Sequence, residues 1–124
     1  MNEVIILCLW INNRIFAAIF LNDILMNYGY VKVAAAVPRV KVADCKFNAR
    51  EIEKEIIIAE GKGVQIIAFP ELCVTGYTCG DLFAQQLLLE EAEMGLIQIV
   101  SNTRQLDIIA ILGMPIAMNG VDRK

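Results

Sequence analysis

The chain has no histidine, one tryptophan and three prolines in 124 residues, and it lacks both an excess of basic charge and an unbroken membrane-length apolar run. Each shortage removes a class of function. Without histidine a zinc site would rest on cysteine and carboxylate, and Cys73 and Cys79 are spaced more widely than paired zinc ligands usually are. No metal is expected. A net charge of −3 and a pI near 4.9, with eleven scattered Lys and Arg and no alternation of basic and aromatic residues, exclude the patch that phosphate backbones require. No nucleic-acid partner is expected either. Cys8, Cys45, Cys73 and Cys79 follow no disulfide framework, and the signal-peptide pattern is not met, since Glu3 stands where a basic n-region belongs. They read as reduced thiols of a cytoplasmic protein, packed as small hydrophobes.

What is present is apolar. Hydrophobic residues make up 57% of the chain and the mean hydropathy is +0.56, high for a small soluble domain. Apolar surface should stay uncovered until a missing half, or a second copy in a homo-oligomer, buries it. Val4 to Leu21, VIILCLWINNRIFAAIFL, is the extreme case, broken by Asn12, Asn13 and Arg14. A membrane helix needs about 20 apolar residues, and an Arg near its centre costs about 2.5 to 3.5 kcal/mol, which argues against a membrane span. Two other readings stand beside it: a dispensable extension over residues 1–25 ahead of a natural start at Met26, or an apolar helix packed on a partner.

Farther on, the pattern alternates strand and helix. Tyr30 to Val37 reads as a strand ending at Pro38. Asn48 with Glu51 three residues on resembles a capping box for a helix from about Ala49 to Glu60, closed by Gly61, with Arg50, Glu53, Lys54 and Glu60 on a solvated face. Val64 to Phe69 is a continuous apolar run, the pattern of a strand buried on both faces. A helical stretch follows from near Leu82 to Thr103, with Asp81 as cap and Gly95 as a weak point, and Leu106 to Leu112 forms a third strand closed by Gly113-Met114-Pro115. This order predicts α/β architecture made of parallel βαβ units. Gly61 and Gly63 precede a strand rather than a helix, so they make a poor phosphate loop.

Pro70 ends the second strand and brings Glu71 out at its carboxyl end, where ligand crevices of α/β sheets lie. A carboxylate partly desolvated there has a raised pKa, which suits a general base. The same position suits a solvated loop residue or a cap on a nearby amide. Thr75, Gly76 and Tyr77 could line a pocket beside it, Tyr77 offering a hydroxyl and an aromatic wall for substrate. Alternatively Gly76 serves a structural turn and Tyr77 packs on the sheet.

The run FPELCVTGYTCGDLF, Phe69 to Phe83, resembles the first catalytic segment of the carbon-nitrogen hydrolase (nitrilase) superfamily. The extension TCGDLF is more specifically similar to the glutaminase domain of the glutamine-dependent NAD synthetase family, as are VKVAAAVPRVKVADCKFNAREIEKEIIIAEGKGVQIIAF upstream and LDIIAILGMPIAMNG downstream. The resemblance implies an incomplete nitrilase-type α-β-β-α sandwich over residues 26–120, with 121–124 a tail, since the complete sandwich needs roughly twice this length. It implies Glu71 as the base of a Glu-Lys-Cys amide hydrolysis of glutamine or another small amide. The lysine and cysteine of that mechanism are not in this chain; Lys124, Cys73 and Cys79 stand in the wrong places. ATP and Mg would belong to an absent synthetase domain, so no cofactor is expected here. Part of a stand-alone amidase or nitrilase, a non-catalytic assembly module and a truncated product are the alternatives. Carbonate extraction of the expressed chain, with and without the residues before Met26, should release both forms from membranes; retention of the longer form alone would establish membrane association.

Overall fold

The computed structural model describes residues 4–9, as main chain, and residues 30–116. Apart from the strand at 4–9, the expected extension over residues 1–25, the start at Met26 and the tail 121–124 lie outside the described residues. Val4–Leu9 forms β1, Val33–Ala35 β2, Ile66–Ala68 β3 and Ile109–Pro115 β4, in one four-stranded sheet of order β1-β4-β3-β2. β2, β3 and β4 run parallel, and β1 pairs antiparallel along the other edge of β4. The first part of the apolar N-terminal run is therefore a strand and not a packing helix. VIILCL carries the β-branched residues that suit a pleated ladder, and β4 has an edge to offer.

Two crossover helices join the parallel strands: α1, Cys45–Gly61, between β2 and β3, and α2, Gln86–Thr103, between β3 and β4. Crossovers of one hand between strands laid down in one direction bring both helices to one face of the sheet, where they pack on each other. Register decides which residues they cover. Ala34, Ile67 and Ala110 form one cross-strand row, and the rows on either side are Val33-Ile66-Ile109 and Ala35-Ala68-Ile111. Side chains alternate along a strand, so the middle row faces the helices and the outer rows face away. Ile67, Ala110 and Leu112 are fully buried with Ala49, Ile52 and Ile56 of α1 and Ala92 and Ile99 of α2. Each buried Ile or Leu contributes about 1.5 to 3 kcal/mol of transfer free energy. The other face is different: Ile66, Ala68, Ile109 and Ile111 are half-buried, and Val33 is 65% exposed. The expectation of a central strand buried on both faces is thus met on one face only.

Helix α1 starts earlier than its sequence predicts. The Asp44 side chain accepts from the Phe47 amide at 3.0 Å and supplies the cap, so Asn48, one turn on, is inside the helix and turned inward. Its amide nitrogen donates to the carbonyls of Lys41 (2.8 Å) and Val74 (2.9 Å), and its Oδ1 accepts from the Lys41 amide (2.7 Å). Glu51 makes no capping box; it pairs with Arg39 and Lys54. Glu53 leaves the solvated face, because Gln98 and Asn102 of α2 both donate to its carboxylate. Gly61 is the last helical residue, and the left-handed position falls to Gly63 at φ 74°.

The second helical stretch is divided. Gly80–Ala84 is a 3₁₀ turn, Gln85 is extended, and α2 begins at Gln86, so Asp81 does not cap it. Gly95 lies where α2 meets α1: a Cβ there would be 3.4 Å from the Cys45 carbonyl oxygen and 3.5 Å from a Val74 methyl, ordinary contact distances. β4 also runs on through Gly113-Met114-Pro115 instead of turning, since β1 extends its ladder past the end of β3. Among the described residues no helix is long and apolar enough to cross a membrane. Asn48→Ala should cost about 2 to 3 kcal/mol in urea unfolding, because it leaves three main-chain groups without their partner; a loss below about 0.5 kcal/mol, the ordinary range of surface substitutions, would contradict the clamp described here.

Candidate active site

The last ladder bond on the β4 side of β3 is made by the Phe69 amide to the Ile111 carbonyl, at 3.0 Å. Pro70 has no amide to continue it, and the chain turns. Amides of Cys73, Thr75 and Gly76 fold back on the carbonyls of Pro70 and Leu72, at 3.3, 3.2 and 2.7 Å. Leu72 sits at φ 57°, a left-handed conformation uncommon for a branched residue, and Gly76 at φ 87° lies against the side chain of Val40 and the backbone of Val42. The result is a tight loop that brings two separated residues together. The Tyr77 hydroxyl donates to Glu71 Oε2 at 3.0 Å.

Glu71 is exposed, so the partial desolvation expected of it is absent in this chain. Tyr77 is 59% exposed and does not pack on the sheet. Its phenol is held above the ordinary tyrosine range, first because Glu71 accepts its proton in a hydrogen bond and then through slight desolvation and the repulsion of the same carboxylate. Thr75 lines no pocket: it is fully buried, its hydroxyl donates to the Gly76 carbonyl, and its carbonyl accepts from the Ala43 amide at 2.8 Å. Gly61-Lys62-Gly63 leads into β3 at the opposite rim, where the Lys62 carbonyl accepts from Lys32 Nζ.

Two residues that sequence reasoning cast differently hold this loop. Asn48 ties Val74 to α1, and Gly113 lies directly beneath the Glu71-Leu72 turn. A glycine inside an apolar strand can mark a close backbone approach, but beside Met114-Pro115 Gly113 has the pattern of a turn that closes the strand. Cysteines pin the loop at its two ends. Cys73 Sγ is 3.7 Å from the Gly113 carbonyl, and Cys79 Sγ donates to the carbonyls of Thr75 and Gly76 at 3.2 and 3.5 Å. Neither is placed as a nucleophile. Burial pushes the Cys73 thiol up, and burial with the charge of Glu91 and the nearby Cys79 pushes Cys45 to about 11. Among the described residues no group of three or more Cys, Asp or Glu side chains could hold a metal ion.

No protein-family model matches the chain. Over 90 residues, 73% of its length, it is 32% identical to the glutamine-dependent NAD(+) synthetase of Mycobacterium leprae. Over 74 residues it is 39% identical to the enzyme of that name from Aquifex aeolicus. The crystal structure of a glutamine-dependent NAD(+) synthetase from Cytophaga hutchinsonii superposes with a TM-score of 0.67 at 31% identity, covering 73% of this chain and 15% of that one. This chain is homologous to one segment of glutamine-dependent NAD(+) synthetase. It spans 13% of the length of the curated synthetases it matches. The α/β order of small parallel sheet and crossover helices accords with the synthetase structure.

Iodoacetamide at pH 8 should modify Cys45 and Cys73 at least about tenfold more slowly in the folded chain than in urea, measured by peptide mapping. The unfolded Cys45 thiol ionises near 9.0 and the folded one near 11, so its contribution to stability is complete below pH 9 and is lost as the pH rises toward 11. Cys45→Ala should flatten the fall in urea midpoint across that interval.

Proposed function

We propose that this chain is the N-terminal part of the glutamine-hydrolysing, ammonia-supplying unit of an NAD synthetase, with Glu71 as its general base. The observation that supports this most directly is Glu71 itself, presented at the carboxyl rim of β3 and braced by Tyr77, within a chain homologous to glutamine-dependent synthetases. In this reading Glu71 takes the proton of a cysteine thiol supplied by another segment, and the thiolate attacks the amide carbon of glutamine. A lysine, also from another segment, stabilises the oxyanion. Collapse of the tetrahedral intermediate breaks the C–N bond, and Glu71 returns the proton to the departing ammonia. Water then cleaves the thioester with Glu71 again accepting a proton. Tyr77 orients the carboxylate and forms part of the wall against which the amide binds.

The open sheet face supports the wider architecture. Rows Val33-Ile66-Ile109 and Ala35-Ala68-Ile111 present an apolar surface of the kind that seats a second sheet about 10 Å away, giving one half of an α-β-β-α sandwich. The chain alone is inactive in this reading, ATP and Mg belong to a separate synthetase domain that consumes the ammonia, and the complete enzyme works in the cytoplasm. An assembly module that uses the same open face to bind another chain is the second reading. A monomer of sharp cooperative unfolding in size-exclusion and urea experiments removes that alternative.

Grafting this chain over its matching segment in the Mycobacterium leprae synthetase tests the base assignment. Glu71→Gln in the graft should lower glutamine-dependent NAD formation by at least about 10²-fold and leave NAD formation from added ammonia unchanged. Equal loss with both nitrogen donors would show that Glu71 is structural. The ungrafted chain should release no ammonia from glutamine.

A further inference from the structure

We infer that Gly113 is a positioning residue for Glu71, setting the height of its turn above β4 by having no side chain. The geometry is specific. A Cβ at Gly113 would fall 2.8 Å from Glu71 Cα, 2.8 Å from the Leu72 nitrogen and 3.2 Å from the Glu71 carbonyl carbon. All three are main-chain atoms, so no side chain can swing aside to make room. One backbone has to move. β4 is held at this level by β1, with Gly113 opposite Ile6 and Leu112 opposite Leu7, whereas the hydrogen bonds of Glu71 and Leu72 at the apex are made within the loop, and only Val74 and Thr75 beyond them are tied to Asn48 and Ala43. The turn is therefore the part that gives way.

Leu72 shows how closely the turn is adjusted to that floor. Its left-handed φ of 57° lets the chain reverse immediately above Gly113, and Cys73 Sγ then reaches the Gly113 carbonyl. The turn thus meets Gly113 both over its Cα and at its oxygen. With Glu71 at this height the Tyr77 hydroxyl, six residues along, meets Glu71 Oε2 at 3.0 Å. A methyl group at 113 lifts the Glu71 main chain and separates the pair. The catalytic meaning of this placement rests on the reading of Glu71 as base, whereas the placement itself does not.

The test uses the whole chain labelled with ¹³C-tyrosine, following the Tyr77 ζ carbon by NMR over about pH 8 to 12 and assigning it by its absence in Tyr77→Phe. Wild-type Tyr77 should titrate above an ordinary tyrosine. Gly113→Ala should bring its midpoint down to that of Glu71→Gln, while Ile99→Val, which trims the buried core elsewhere, should leave it at the wild-type value. A wild-type midpoint in Gly113→Ala, or one equally lowered in Ile99→Val, overturns the inference. If Gly113→Ala does not fold, Leu72→Gly is added to free the turn: a folded double variant with the lowered midpoint supports the inference, and continued unfolding or a wild-type midpoint overturns it. Because this readout needs no turnover, it is separate from the grafted-enzyme assay. Loss of the Tyr77 signature with no effect of Glu71→Gln on glutamine use would uphold the positioning role and refute the base.

Discussion

β3 stops at Ala68 while β4 continues to Pro115, and the chain leaving β3 must turn across its longer neighbour. Much of the candidate site follows from that mismatch. Pro70 denies the ladder another donor, the turn crosses β4 at Gly113, and the following residues curl back far enough for Tyr77 to reach Glu71. Had β3 been as long as β4, Glu71 would have been a strand residue with its side chain committed to a sheet face.

The loop is held from above as well as below. Asn48 connects Val74 to both main-chain groups of Lys41, and Ala43 and Thr75 are joined by a backbone bond. Helix α2 meets these elements at Gly95, beside Cys45, Ala49 and Val74. Three otherwise unrelated features, a buried amide and two glycines, thus converge on one segment. Buried polar groups with every partner satisfied specify one arrangement strongly, and here that arrangement includes the position of the carboxylate.

One face of the sheet is finished and the other is not. Ile67, Ala110 and Leu112 are sealed by the helices, whereas the neighbouring rows keep their apolar side chains half-exposed. The chain spans 13% of the length of its synthetase relatives, and among the described residues its βαβαβ unit is packed on one side of the sheet and open on the other.

Periodicity and apolar runs were enough to read the alternation of strands and helices, because a buried parallel strand and an amphipathic helix each leave a local pattern. Pro70 and the strand before it sufficed to put Glu71 at a carboxyl rim, and the FPELCVTGYTCGDLF run pointed to the enzyme family. The roles of Asn48, Gly95 and Gly113 were not legible. Each residue has a common local use, as cap, helix weakener or turn, and only a contact with a segment distant in sequence displaces it. Val4–Leu9 was likewise undecidable, since its run suits a helix or a strand until β4 offers an edge. Local composition determined which elements form and which carboxylate stands at their end. Tertiary packing decided how high that carboxylate sits and what it touches, because main-chain clashes and buried hydrogen bonds exist only between parts the fold has brought together.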